Sequence, residues 1–504
     1  VIVRAGAAAV DITPPLPIDL LGFVRRERAA RAVWAPLEAR ACVFDSAECR
    51  VAIIAADLVG MTTAMADAVR ARVAAAIDCP AEHVLLNSSH SHAAPWPGAP
   101  IKLGGEFDGW TDLELRYWET IPDRFASAAV QALSDARPAQ VAGGVGRVPG
   151  LAVNRRERTP DGRTILGWNP DGFVDEEIPV IRVDAAAGLP RRPEPIATLV
   201  SFGCHPVVVG PEVPLVSPDY LGPLRRWLDR VRGGVTVVLQ GAAGNVLPLE
   251  AFQDDPAAAI PFGERLALEA AHAVADADPR AMTIERLDYG SVTPISLYRR
   301  RIAPDQPEPT LAVRRRLVSL PLLPPPSVED LERELAQRRA ELDTKRAAGA
   351  PRAVTNPIAY HIAWLEHLLG QISAGPLPTA LTGEIWAARI GDCAVVGAPG
   401  EIFSEIGHAV RAASPASVTL FAGYCGGVLG YVATPEEYPF GGYEPAVSHR
   451  GYGHPAPFSP VVAGIIRDTA LGLLEELFSV GIGSAPGGSN ADHATPEPRD
   501  DARS

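Results

Sequence analysis

No apolar run in the 504-residue sequence reaches the roughly 20 residues that a bilayer-spanning helix needs, so the chain reads as a soluble protein. It also lacks any Cys-x-x-Cys pair. Cys42, Cys49, Cys79, Cys204, Cys393 and Cys425 are scattered, which argues against a thiolate zinc site and, at this length, against a disulfide scaffold. Buried free thiols are the expectation. A basic stretch is missing as well: acidic residues exceed basic ones by 60 to 46, which sets aside nucleic acid and anionic membranes as partners. Val1 to Val10 are small and apolar but lack the charged, apolar and cleavage-site succession of a secretory signal. The chain is therefore expected to be cytoplasmic, or secreted if such a signal has been removed. From about Ile482 large apolar residues all but vanish, and burial there cannot repay the entropy of ordering, so 481–504 is expected to form a disordered tail.

What is present points to an α/β fold of mixed β-sheets covered by helices. Aliphatic runs at Val51–Asp57 and Val84–Leu86 flank Thr63–Ile77, an Ala- and Val-rich stretch with helical spacing. Further buried-strand signals lie at Ile196–Phe202, Val235–Leu239 and Cys393–Val396, and helical ones at Pro223–Val231, Gly263–Ala275 and Pro460–Leu477. After a Pro-rich stretch, Ser327 stands three residues before Asp330 as a helix cap, and Leu331, Leu335 and Leu342 share one face. A second amphipathic segment carries Ile358, Ile362, Leu365 and Leu369, so 327–370 is expected to be a helical hairpin inserted in the α/β body, either packed on its surface or walling a substrate site.

Several strands end in loops that carry chemistry, and in open α/β sheets the carboxyl ends of strands are where ligands collect. His90-Ser91-His92 follows Val84-Leu85-Leu86; in an extended segment residues i and i+2 point the same way, so both imidazoles would face one cleft, one for a metal and one for proton transfer. His205 ends the apolar stretch Ala197–Cys204, where a lone His is commonly a hydrogen-bonded core residue. Glu401 follows Val395-Val396-Gly397-Ala398-Pro399-Gly400 and is the kind of oxygen ligand that joins two His on catalytic zinc. Asp57, at a strand end, is a weaker candidate for orienting a ligand imidazole. Tyr431 and Tyr443, by themselves, read as packing aromatics.

With Gly6-Ala7-Ala8-Ala9-Val10-Asp11-Ile12-Thr13-Pro14, the His-Ser-His segment, the Pro-Gly-Glu turn and Tyr431-Val432-Ala433-Thr434-Pro435-Glu436-Glu437-Tyr438 in this order, the chain resembles the neutral (alkaline, non-lysosomal) ceramidase family over most of its length. The resemblance implies one catalytic domain over 1–480 and a zinc ion held by His90, His205, Glu401 and Tyr431. It further implies that His92, Arg155 of Val153-Asn154-Arg155 and Tyr443 act on the scissile amide. Two departures stand out. Where the family carries a Ser and an Asp, this chain has Gly241 and Asn245 in Gln240-Gly241-Ala242-Ala243-Gly244-Asn245, so a serine nucleophile is not expected, although the Gly-rich turn offers backbone N–H groups to an oxyanion. No counterpart of the family's immunoglobulin-like carboxyl-terminal domain is expected. The expected activity is thus zinc-dependent hydrolysis of an N-acyl amide by metal-activated water, on a ceramide-like or other small or lipid-like N-acyl substrate. An ester or natural-product intermediate as substrate, and a non-catalytic binding protein of the same fold, are the alternatives.

Overall fold

Eight strands whose residues alternate between two buried faces make the first sheet. In spatial order they are Val235–Gln240, Pro195–Phe202, Glu177–Ala185, Arg137–Arg147, Arg4–Asp11, Glu38–Asp45, Arg50–Ala56 and Val84–Ser88. The first pair and the last pair are parallel, while the strands between them run antiparallel. This computed structural model describes residues 3–102, 104–186, 194–280, 282–287, 296–303 and 309–479; the tail expected at 481–504 lies outside them. A second sheet has the order Leu311–Pro321, Ala380–Ile390, Cys393–Gly397 and Val418–Ala422. One face of the first sheet, through Cys42, Phe44, Ile53 and Leu199, packs on Trp386, Val395 and Leu420 of the second. The opposite face, through Ala41, Val43 and Ile54, is covered by the helices Thr63–Ile77, Asp112–Ser134, Leu221–Arg232 and Ala259–Asp276. The helix Val462–Ser479 covers the outer face of the second sheet. Four layers result, helix, sheet, sheet, helix, which is the stable way to bury both faces of two sheets.

Local signals explain where these elements begin. Thr62 caps the helix Thr63–Ile77 by accepting from the Met65 amide at 3.3 Å, and Thr111 with Glu114 closes a reciprocal capping box on Asp112–Ser134. The Asn87 side chain ties the layers together. It accepts from the Gln240 amide at 2.9 Å and donates to the Gly423 carbonyl at 2.7 Å, linking the two outermost strands of the first sheet to the second. Cys42, Cys204, Cys393 and Cys425 are buried and Cys49 and Cys79 half-buried, all as free thiols. Among the described residues no helix is long and apolar enough to cross a membrane.

The two amphipathic segments after the Pro-rich stretch are the helices Val328–Ala347, capped by Ser327, and Arg352–Ala374, and in the sequence they join the first two strands of the second sheet, which pair directly with each other. The hairpin is tied down at both ends of its inner face: Trp364 Nε1 donates to the His454 carbonyl at 2.9 Å and Asn356 to the Arg26 carbonyl at 3.0 Å. Three histidines lie at this junction. Burial, reinforced by Arg450, lowers His361 to about 4 and His449 to about 3, and burial lowers His454 to about 4. Each is neutral when folded but takes up a proton near pH 6.5 when unfolded, so stability is fully present above pH 6.5 and is lost as pH falls towards 4. In melts recorded between pH 6.5 and 4, His449→Gln is expected to flatten the decline, by at most about 1.4 kcal/mol per pH unit, one proton's worth. An unchanged slope would show that His449 is not the titrating group.

Candidate metal centre

The first ligand candidate sits at a strand end. The strand Val84–Ser88 stops before His90, whose φ of 63° is left-handed, a conformation that costs energy for a residue with a Cβ and that clusters at functional sites. The His-Ser-His segment is therefore not extended, as its spacing suggested, and the turn rather than strand alternation brings the two rings together. Their Nε2 atoms lie 3.2 Å apart with the ring planes at 81°. His205 follows the strand Pro195–Phe202, and Glu401 lies just beyond Cys393–Gly397, so each comes from the carboxyl end of a strand. Tyr431 is placed by a short parallel pairing in which Glu401 and Tyr431 are direct neighbours.

His90, His205, Glu401 and Tyr431 converge in a buried cluster. Glu401 Oε2 is 3.2 Å from His90 Nε2 and 3.0 Å from His205 Nε2, and His205 Nε2 is 3.3 Å from the Tyr431 hydroxyl. The other nitrogen of each ring is spoken for: His90 Nδ1 faces the Val59 carbonyl and His205 Nδ1 the Ala243 carbonyl, both at 2.7 Å. A carbonyl only accepts, so both Nδ1 atoms carry hydrogen. Burial, with Arg155 adding to it, lowers His205 to about 4; the ring is neutral at pH 7 and its Nε2 presents a lone pair. Burial penalises the Glu401 carboxylate, yet its surroundings, His90 foremost, outweigh this and hold it well below the usual carboxylate range. A lone pair thus faces an ionised oxygen at 3.0 Å, a contact that a cation between them makes favourable. The separations of 3.0–3.3 Å also match the ligand–ligand edge of roughly 3.3 Å expected for tetrahedral bonds of about 2.0–2.1 Å. The donor set fits a small divalent ion.

Around this set lie the residues assigned to the amide. His92, with its Nε2 beside that of His90, is part of a three-imidazole group with His90 and His205 whose ligand atoms fall within 4.8 Å of one another. Its pKa is driven well below the usual imidazole value by burial first and then by His90 and His205. Arg155 Nη1 is 3.1 Å from His205 Nε2, its Nε donates to Glu444 Oε1 at 2.8 Å, and its guanidinium lies 5.2 Å from the centre of the Tyr431 ring. Tyr443 packs edge-on against Tyr431 at 5.6 Å and, at 38% exposed, is where the cluster meets solvent. His92 Nδ1 and Arg155 Nη2 are buried with no hydrogen-bond partner, two polar atoms beside the cluster with capacity to spare.

Two expectations fail. Asp57 orients no imidazole: its carboxylate is engaged by Arg225 at 2.8 and 2.6 Å and by the Glu38 amide at 2.8 Å, and the imidazoles are oriented by main-chain carbonyls instead. The Gly-rich turn does not offer its glycine N–H groups. Gly241 donates to the Phe202 carbonyl at 2.9 Å and Gly244 to that of Ile402 at 2.8 Å. A Cβ at Gly241 would lie 2.9–3.1 Å from the main chain of Phe202 and Gly203, so close packing requires glycine there. The turn serves as a hub. Ala243 holds the His205 ring, the Asn245 carbonyl accepts from the Arg155 amide at 2.8 Å, and the Asn245 side chain accepts from the Ser404 amide at 2.9 Å. Sequence reading also missed Tyr424 and Tyr452, whose hydroxyls both donate to the Glu401 carboxylate. Their only sequence signal was the Gly-rich setting of each, Gly423-Tyr424 and Gly451-Tyr452-Gly453.

No protein-family model matches the sequence, and no curated protein does either. Solved structures do match. The neutral ceramidase from Pseudomonas aeruginosa superposes with a TM-score of 0.65 at 19% identity, covering 97% of this chain and 76% of that one. The chain has the neutral ceramidase fold. A structure described as a ceramidase complexed with C2 agrees, at TM-score 0.65 and 18% identity, covering 97% of this chain and 77% of its own. Within the ceramidase fold of this chain, all seven residues singled out by the motifs fall in one cluster, drawn from stretches as far apart as His90 and Tyr443.

Proposed function

We propose that this protein is a zinc-dependent amidohydrolase that cleaves the amide bond of a ceramide-like or other N-acyl substrate. The observation that carries the reading is the convergence of the His90 and His205 Nε2 atoms on one oxygen of the ionised Glu401, with Tyr431 beside them. Such a set takes a divalent cation, which when bound acts as a Lewis acid and lowers the pKa of a coordinated water towards ~7. The protein's residues supply the rest. The free Nη2 of Arg155 and the Tyr443 hydroxyl donate to the carbonyl oxygen as water adds to the carbon and negative charge develops. His92, neutral at rest, takes the proton released by the attacking water and delivers it to the leaving nitrogen as the C–N bond breaks. With glycine at 241 the position of the family's serine carries no hydroxyl for a covalent route.

The surroundings favour an apolar acyl group. The Phe23 ring packs edge-on against His92 at 4.7 Å and meets the half-exposed Phe252 at 5.9 Å, and Phe23 rests on a cluster of Val153, Val207 and Leu247. Apolar side chains therefore extend from the proposed proton carrier to the surface. A panel of N-acyl amides and matched esters of graded chain length, with products followed by mass spectrometry, tests the assignment. Release of amine and fatty acid from the amides supports it; turnover of the esters alone, or of neither series, contradicts it. In the same assay His92→Ala is expected to lose roughly 10²–10⁴-fold in kcat, the usual worth of a positioned proton carrier, with zinc retained. Full activity would remove His92 from the mechanism, and loss of zinc would make it a ligand.

A further inference from the structure

Glu401 has two oxygens, and the molecule treats them differently. Oε2 faces both imidazoles, at 3.2 and 3.0 Å, and also accepts from the Tyr424 hydroxyl at 3.3 Å. Oε1 is turned to the Tyr452 hydroxyl, which donates to it. Tyr452 is itself fixed. Its ring packs edge-on against Trp96 at 5.6 Å, stacks on His454 at 6.1 Å with a 15° tilt, and lies against Gly430, where even an added Cβ would touch it at 3.4 Å. His454 is anchored in turn, with Nε2 2.9 Å from the Leu429 carbonyl. Gly430 is the residue whose carbonyl accepts from the Glu401 amide at 2.9 Å, so the carboxylate and its phenol are referenced to the same short stretch of main chain. A buried carboxylate can swing about its terminal torsion to present either one oxygen or both, because that torsion is soft. A donor held rigidly against Oε1 removes the freedom.

Resting on the proposed cation at His90, His205, Glu401 and Tyr431, we propose that Tyr452 is a positioning residue that makes Glu401 a one-oxygen ligand. The phenol occupies Oε1 and so reserves Oε2 for the ion. Without it the carboxylate is free to turn both oxygens inward, filling the position that water or the amide carbonyl needs. Tyr424 plays a lesser part, since it shares the oxygen already aimed at the imidazoles and packs on the His90 ring at 4.5 Å.

Tyr452→Phe keeps the ring and its packing and deletes only the hydroxyl. Metal-free protein and the variant are each titrated with Zn²⁺ against a chelator of known affinity, and the visible spectrum of each is recorded after loading with Co²⁺. The expected result is a 10–100-fold weaker zinc affinity in Y452F, the usual cost of losing a group that orients a ligand. The cobalt bands should also weaken, as they do when coordination number rises, while the melting temperature of the metal-free form stays close to that of the parent. Parent-like affinity and spectrum in Y452F would overturn the inference and leave the zinc reading intact. A lowered melting temperature with parent-like affinity and spectrum would likewise overturn it, because the hydroxyl would then serve stability alone. A parent protein that takes up no metal overturns both, which separates failure of this inference from failure of the reading beneath it.

Discussion

Glu401→Gln is expected to yield a folded protein that no longer binds zinc. The side chain keeps its shape, and an amide carbonyl still accepts from Tyr452. The new NH₂ group would face His90 Nε2 and His205 Nε2, donating where an ionised oxygen now stands 3.2 and 3.0 Å away. Removing the charge also removes the contacts that outweigh its burial, so the metal-free variant should stay folded but melt somewhat lower than metal-free parent. The anionic oxygen is lost to the cation, however. Groups that only orient a ligand cost about 10–100-fold in affinity, and loss of the charged ligand itself should exceed that range. Chelator competition gives the affinity and differential scanning calorimetry the stability. Parent-like zinc affinity in the variant would show that Glu401 is not a ligand.

The second large effect is at Arg155. Its replacement by Met should leave zinc content unchanged and reduce kcat by roughly 10²–10³-fold, the cost of removing one donor to a developing oxyanion. Glu444 would not be stranded, because Arg156 Nη1 also donates to it at 2.5 Å, so the protein should remain folded with a lowered melting temperature. Arg155→Lys is expected to rescue little. The native side chain reaches Glu444 through Nε and the His205 ring through Nη1 and keeps Nη2 free, three directions that a single ammonium cannot serve together. Steady-state kinetics decide the case: a rise in KM with kcat unchanged would place Arg155 in substrate binding and not in the chemical step.

Much of this site was legible in the sequence because its parts lie at strand ends, where a buried aliphatic run stops at a polar residue. His205 after Ala197–Cys204 and Glu401 after Val395–Gly400 are of this kind, and the helix Thr63–Ile77 was readable from its spacing and length. What was hidden depends on contacts between distant stretches. Asp57 sits at a strand end like the ligands, yet Arg225, from a helix 168 residues away, claims its carboxylate. The groups that lock the imidazole tautomers are the main-chain carbonyls of Val59 and Ala243, and a carbonyl has no residue identity for a sequence to display. Gly241 looked like a lost serine and a freed backbone donor, but its main chain is pressed against Phe202 and Gly203 and its N–H is already used. Tyr424 and Tyr452 reach Glu401 only through folding, and aromatic residues in a core are common enough to conceal them.

The central claim is that His90, His205, Glu401 and Tyr431 form one cation site. Equilibrating purified protein with a small excess of Zn²⁺, desalting it and measuring bound metal by plasma mass spectrometry tests that claim directly. One zinc per chain in the parent, falling to near zero in Glu401→Gln, is the predicted result; no zinc retained by the parent, or the same zinc in both proteins, would contradict it.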